Sequence, residues 1–124
     1  MTKVYVSHSR DFDFRKELYK PLREMKGYEF ILPHEHSDEL FSSKEFFRDE
    51  CDILVVEASY KSTGMGIELG WADAFDVPII ILYKKGCKLA SSVRAMSDRV
   101  IEYDSLEEMV GKLEEELERG CRSF

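Results

Sequence analysis

The segment Glu57-Ala58-Ser59-Tyr60-Lys61-Ser62-Thr63-Gly64-Met65-Gly66-Ile67-Glu68-Leu69-Gly70 has the clearest capacity for chemistry in this chain. Gly64 and Gly66, one residue apart, let a backbone approach a ligand closely and permit unusual dihedrals ahead of a helix. Amides exposed at the start of that helix favour an anion or a ligand hydroxyl. Glu68 is expected in its first turn, where the helix dipole favours the ionised carboxylate. A carboxylate so held at the mouth of a crevice can attack an electrophilic carbon. The same residues also fit a plain strand-to-helix turn with an ordinary first-turn acid. Both readings stand at this level.

A second polar loop, Ser7-His8-Ser9-Arg10, follows the first apolar run. Residues 1–26 carry seven bases against four acids, a net of +3, so this end can host a small anion. Residues 102–118 carry eight acids and the one base Lys112, most simply a solvated helix face. A third group, His34-Glu35-His36, offers two histidines and a carboxylate, but a third metal ligand is not evident. Either histidine could also serve as a general acid, and an ordinary polar loop fits equally.

The elements that must position these groups alternate along the chain. Lys3 to Ser7 alternates as a short strand, and Ser9 or Asp11 can cap a helix running to about Met25. Pro21 predicts a kink or early break in it. Tyr28 to Leu32 reads as a second strand, and Asp38 or Ser42 starts a second helix bearing Leu40, Phe46 and Phe47. Asp52 to Glu57 and Val77 to Tyr83 are apolar runs of the kind buried on both faces. Between them a helix carries Leu69, Ala72 and Phe75, and Lys84 to Ser97 reads as a loop with a short helix. Arg99 to Tyr103 is a fifth strand, and Ser105 with Glu108 forms a capping box for a last helix.

Five such alternations predict an α/β fold of three layers, a doubly wound five-stranded parallel sheet with flavodoxin-like order 2-1-3-4-5. In that order the ligand crevice lies beyond the carboxyl ends of strands 1 and 3. Those ends are the Ser7–Arg10 loop and the loop holding Ser62, Gly64 and Gly66.

The 124 residues fit one domain, 1–124, with 44% hydrophobic and 35% charged residues. That balance excludes a disordered chain. The formal net charge of -7 disfavours general nucleic-acid binding. The longest apolar stretch is far short of the roughly 20 residues that span a bilayer, and Met1 leads into a strand rather than a signal peptide. Cys51, Cys87 and Cys121 are spaced for neither zinc nor a disulfide framework. A cytoplasmic protein with reduced thiols is expected.

The string Ser62-x-Gly64-x-Gly66-x-Glu68-Leu69-Gly70, ten residues after the Asp52 that opens an apolar strand, resembles the nucleoside 2-deoxyribosyltransferase superfamily. It is most similar to the 2'-deoxynucleoside 5'-phosphate N-hydrolase branch. The resemblance implies that Glu68 attacks C1' of the sugar and that Ser62 contacts the 5'-phosphate or sugar end. It also implies a tyrosine in the first strand, here Tyr5, followed by a phosphate loop. Where relatives carry Gly-Ser-x-Arg, this chain has His8-Ser9-Arg10. A hydroxyl, a guanidinium and the next helix's amides would still cradle phosphate, while Ser9 as a mere N-cap and Arg10 as a surface residue remain the other reading. Relatives place an aspartate eight residues ahead of the Asp52 equivalent. Lys44 stands there, flanked by Ser43 and Glu45, and Glu45 is a possible substitute. Ser91-Ser92-Val93-Arg94 lies where relatives offer a serine to a neighbouring subunit's phosphate site.

The function expected is cleavage or transfer at the N-glycosidic bond of a (deoxy)nucleoside or its 5'-monophosphate, through a glutamate nucleophile and without metal or organic cofactor. The alternative is a non-catalytic nucleotide-binding or interaction module on the same fold. The expected partners are a small nucleoside or nucleotide and a second copy of the chain, in a homodimer or larger even oligomer. Its Lys84–Ser97 segment would cover the other copy's site, and the helix bearing Trp71 and Phe75 would contribute to the interface or to the core.

Overall fold

A computed structural model describes residues 1–35 and 43–119. The readings placed on His36, Asp38, Leu40, Ser42 and Cys121 fall outside the described residues. Strands form where β-branched and aromatic residues run between turn residues: β1 Thr2–His8, β2 Tyr28–Ile31, β3 Ile53–Glu57, β4 Ile79–Lys84 and β5 Val100–Tyr103. Every neighbouring pair is parallel, in the order β2-β1-β3-β4-β5. Helices α1 (Lys20–Arg23), α2 (Lys44–Asp49), α3 (Thr63–Ala74), α4 (Ser91–Arg94) and α5 (Leu106–Arg119) connect and flank the strands. This is the flavodoxin-like arrangement that the alternation predicts.

The first helix departs from expectation. It starts near Phe14, not at Ser9 or Asp11, and Asp13 Oδ1 accepts from the Lys16 amide at 3.4 Å. Arg15–Tyr19 is π-helical and runs straight into α1, with the Lys20 amide bonded to the Arg15 carbonyl. Pro21 has no N–H to donate four residues back, and the wider π turn ahead of it accommodates that loss without breaking the helix. Gly27, at φ +94°, then reverses the chain into β2.

The two-residue period of a strand decides which face each side chain takes. On β1, Val4 and Val6 join a core with Leu18, Leu22, Met109 and Leu113, on the α1 and α5 side. Tyr5 joins the opposite core, with Phe47, Leu69 and Ala72 from α2 and α3. Ser7 therefore follows Tyr5 toward α3, and His8 turns back toward α1. The register pairs Ser7 with Val56 and His8 with Glu57, so the carboxyl ends of β1 and β3 finish side by side. That juxtaposition opens the crevice.

Candidate active site

A cleft of about 500 Å³ lies beyond the ends of β1 and β3, with Tyr5, Ser7, Ser43, Gly64, Glu68 and Trp71 among its walls. Ser62 caps α3, its Oγ accepting from the Met65 amide at 3.3 Å. The cap starts the helix at Thr63, so Glu68 stands in the second turn, not the first as expected. The helix dipole weakens beyond the first turn, and side chains rather than the dipole hold this carboxylate. Tyr5 Oη donates to Glu68 Oε2 at 2.6 Å, Ser7 Oγ to Oε1 at 2.7 Å, and Ser43 Oγ to Oε2 at 2.6 Å. Burial, and after it the Glu68 carboxylate, push the Tyr5 phenol far above its usual range, so it remains a donor.

The glycines also differ from expectation. Gly64 and Gly66 lie inside α3, and the positive-φ glycines among the described residues are Gly27 and Gly86. A Cβ on Gly64 would stand 3.9 Å from Ser62 Oγ, an ordinary contact. Packing therefore tolerates a side chain there, and what glycine leaves open is room on the cleft side. Gly66 lies off the cleft walls.

His8, Ser9 and Arg10 line the other lip. The buried His8 ring bonds internally at both nitrogens: Nδ1 faces the Ser9 carbonyl at 2.7 Å and Nε2 faces Tyr19 Oη at 2.6 Å. A carbonyl can only accept, so Nδ1 carries the proton and Nε2 accepts from the tyrosine. Burial lowers the His8 pKa to about 4, which keeps the ring neutral. Both ring nitrogens are thus committed, and His8 touches the cleft through its ring rather than through a polar atom. Tyr19 Oη in turn accepts from the His34 amide at 3.1 Å and fixes the cleft wall that His34 forms. Ser9 Oγ accepts from the Asp11 amide at 3.1 Å and shapes the loop carrying Arg10. Glu35, read as a possible metal ligand beside His34, pairs with Arg23 at 2.6 and 2.5 Å. Among the described residues no cluster of three metal-ligating side chains occurs.

No protein-family model matches the chain. Over 63 residues it is 38% identical to a protein of Syntrophotalea carbinolica named "Putative 2'-deoxynucleoside 5'-phosphate N-hydrolase 1". The match covers 48% of this chain and 44% of that relative, so it spans less than half of either. Across nearly the whole chain, the fold matches the solved structure of Clostridium botulinum CMP N-glycosidase, BcmB. The TM-score is 0.67 at 22% identity, covering 94% of this chain and 100% of that one. The chain resembles nucleotide N-glycosidases. Both of these proteins fall in the superfamily that the Ser62–Gly70 string resembles.

Where that resemblance calls for an aspartate, this chain has Lys44. Lys44 and Glu45 are exposed and off the cleft walls, so Glu45 does not substitute. Ser43 is buried and reaches Glu68 instead. Sequence reasoning takes Ser43 only as a neighbour of Lys44, because its partner lies 25 residues along the chain. Lys61 was passed over as well: it lines the cleft beside Ser62, and its one signal is a cation directly before a helix cap. Ser91 and Ser92 open α4, exposed and off the walls of this chain's own cleft. Trp71 lines the cleft and packs against Phe47 at 6.3 Å, while Phe75 packs on the α3-side core.

On the opposite face of the sheet, at the end of β3, the fully buried Glu57 accepts from Tyr103 Oη, from the Ser59 amide at 2.7 Å and from Ser59 Oγ at 2.9 Å. Lys84 pairs with Glu17 at 2.8 Å and lies over the stacked rings of Phe12 and Tyr60. These contacts tie the loop after β1 to the loop after β3, and so hold the two lips of the cleft in register.

Proposed function

We propose that this protein cleaves the N-glycosidic bond of a nucleoside 5'-monophosphate, with Glu68 as nucleophile. The observation that carries the reading is the Glu68 carboxylate held by three hydroxyls in the switch-point cleft. A carboxylate oxygen donates an electron pair to C1' while the C1'–N pair leaves with the base. The departing nitrogen takes a proton from water or from the His34 ring, and a sugar ester of Glu68 remains. Water then attacks C1', gives up its proton, and frees the carboxylate with net retention, as in retaining glycosidases. A second base in place of water would make the reaction a transfer.

Arg10 and Lys61, on facing lips of the cleft, favour a phosphorylated substrate over a free nucleoside. Ser9 shapes the Arg10 loop, while Ser62 and Gly64 present the start of α3 to the phosphate or sugar. The cleft is open on one side, and binding sites normally bury most of a small ligand. We infer a symmetric homodimer or larger even oligomer in which Ser91 and Ser92 of one copy close the other's site. Its place of action is the cytoplasm, where the thiols of Cys51 and Cys87 stay reduced. Among the described residues no helix is long and apolar enough to cross a membrane.

A binding-only module is the second reading, favoured by Lys44 where the resemblance calls for an aspartate. One experiment separates the two. Purified protein and Glu68→Gln are incubated with a panel of nucleosides and 5'-monophosphates, and free base is measured. Release by the natural protein that Glu68→Gln abolishes supports the enzyme. Tight nucleotide binding without any base release supports the module.

A further inference from the structure

A carboxylate has about four in-plane lone-pair positions, two on each oxygen. Among the described residues three of those on Glu68 accept hydrogen bonds: two on Oε2, from Tyr5 and Ser43, and one on Oε1, from Ser7. The two oxygens are thus unequal.

Ser43 is the source of that inequality. It stands at the N-cap of α2, where a serine ordinarily accepts from a backbone amide of the first turn. Its side chain makes no such bond. Its carbonyl still accepts the Phe47 amide at 3.0 Å, so the helix starts normally while the hydroxyl is directed 25 residues along the chain to Glu68. The residue is fully buried, so this hydroxyl has no water to bond in place of the carboxylate. Forgoing a cap costs a helix stability, which marks the contact with Glu68 as the bond this position is built around.

We propose that Ser43 is a positioning residue which, with Tyr5, occupies Oε2 of Glu68 and leaves the free lone pair of Oε1 as the attacking electron pair. The inference rests on the glycosidase reading and adds to it which oxygen reacts and what selects it. On attack, Oε1 forms the bond to C1' and becomes the ester oxygen. Oε2 becomes the ester carbonyl and keeps its two donors, so the carboxylate does not rotate between the two half-reactions. Ser7 remains beside Oε1 and donates to it again as the carboxylate is released. Removing Ser43 frees a lone pair on Oε2, lets the group turn about its last bond, and spreads the population over unproductive orientations.

The test compares Ser43→Ala and Ser43→Thr with the natural protein, by base-release kinetics and by crystal structure. The proposal expects kcat to fall about tenfold to a hundredfold in Ser43→Ala, the usual scale for a misplaced reacting group, with KM nearly unchanged. Ser43→Thr, which keeps the hydroxyl, restores most of the rate. In the crystal of Ser43→Ala the Glu68 carboxylate is displaced or split over two orientations, a readout that needs no turnover. In the ester trapped with a 2'-fluorinated nucleotide, C1' is bonded to the oxygen beside Ser7. An unmoved carboxylate and unchanged kcat in Ser43→Ala would overturn the proposal while leaving Glu68 as nucleophile. So would an ester formed through the oxygen beside Tyr5. Base release that survives in Glu68→Gln, or is absent in the natural protein, overturns the glycosidase reading and this proposal with it.

Discussion

Acidification should unfold this protein partly through one residue, His8. Its ring is buried, protonated on Nδ1 toward the Ser9 carbonyl, and accepts from Tyr19 on Nε2. Adding a proton to Nε2 places two donors against each other and charges a group that burial has deprived of water. Burial accordingly lowers the His8 pKa from 6.5 to about 4. The unfolded chain takes up that proton below its own pKa, and the folded chain does not until near 4. His8 therefore contributes its full stability above about pH 6.5, and the contribution drains away as pH falls through the window to about 4. At about 1.36 kcal/mol per pH unit, the loss across that window is about 3 kcal/mol as an upper bound. Urea unfolding of the natural protein and His8→Phe, at steps from about pH 7.5 to about pH 4, isolates the effect. Other titrating groups cancel in the difference. His8→Phe takes the acceptor from the Tyr19 hydroxyl proton and the ring N–H from the Ser9 carbonyl, a roughly constant cost of about 1–3 kcal/mol. The gap between the two proteins should therefore narrow by about 3 kcal/mol on acidification. A gap that stays constant across the window would refute this reading of His8.

Arg10→Ala should weaken monophosphate binding by roughly 1.5–3 kcal/mol and leave nucleoside binding alone. Calorimetric titrations with both ligands decide it, and equal affinities in the natural protein would contradict it. Tyr103→Phe removes one donor from the buried Glu57 and should destabilise the fold by roughly 1–3 kcal/mol in urea. Its kcat for base release should stay within about twofold, since Glu57 faces away from the cleft; a large loss of kcat would place that network in the chemistry. Light scattering at micromolar concentration should report a dimer or larger even oligomer, and a ligand-binding species near 14.5 kDa would rule that out.

The fold was legible because each strand is an unbroken apolar or alternating run between turn residues. Strand order alone places the switch-point loops. Where the sequence misled, the competing physics can be named. Glycines at 64 and 66 look like a turn, yet Ser62 caps the helix ahead of both and carries Glu68 into the second turn. Nor does sequence show that the ring of His8, at the cleft lip, packs among Phe14, Tyr19 and His34. Ser43 was hidden because its partner lies across the fold rather than along the chain.

The covalent ester of Glu68 is the central claim, and mass spectrometry addresses it directly. Protein quenched during turnover of a 2'-fluorinated nucleoside 5'-monophosphate is digested and its peptides are weighed. The account predicts a sugar-phosphate adduct on the peptide containing Glu68, formed in step with one equivalent of free base, and no adduct in Glu68→Gln. An adduct on any other residue, or undiminished base release by Glu68→Gln, would contradict it.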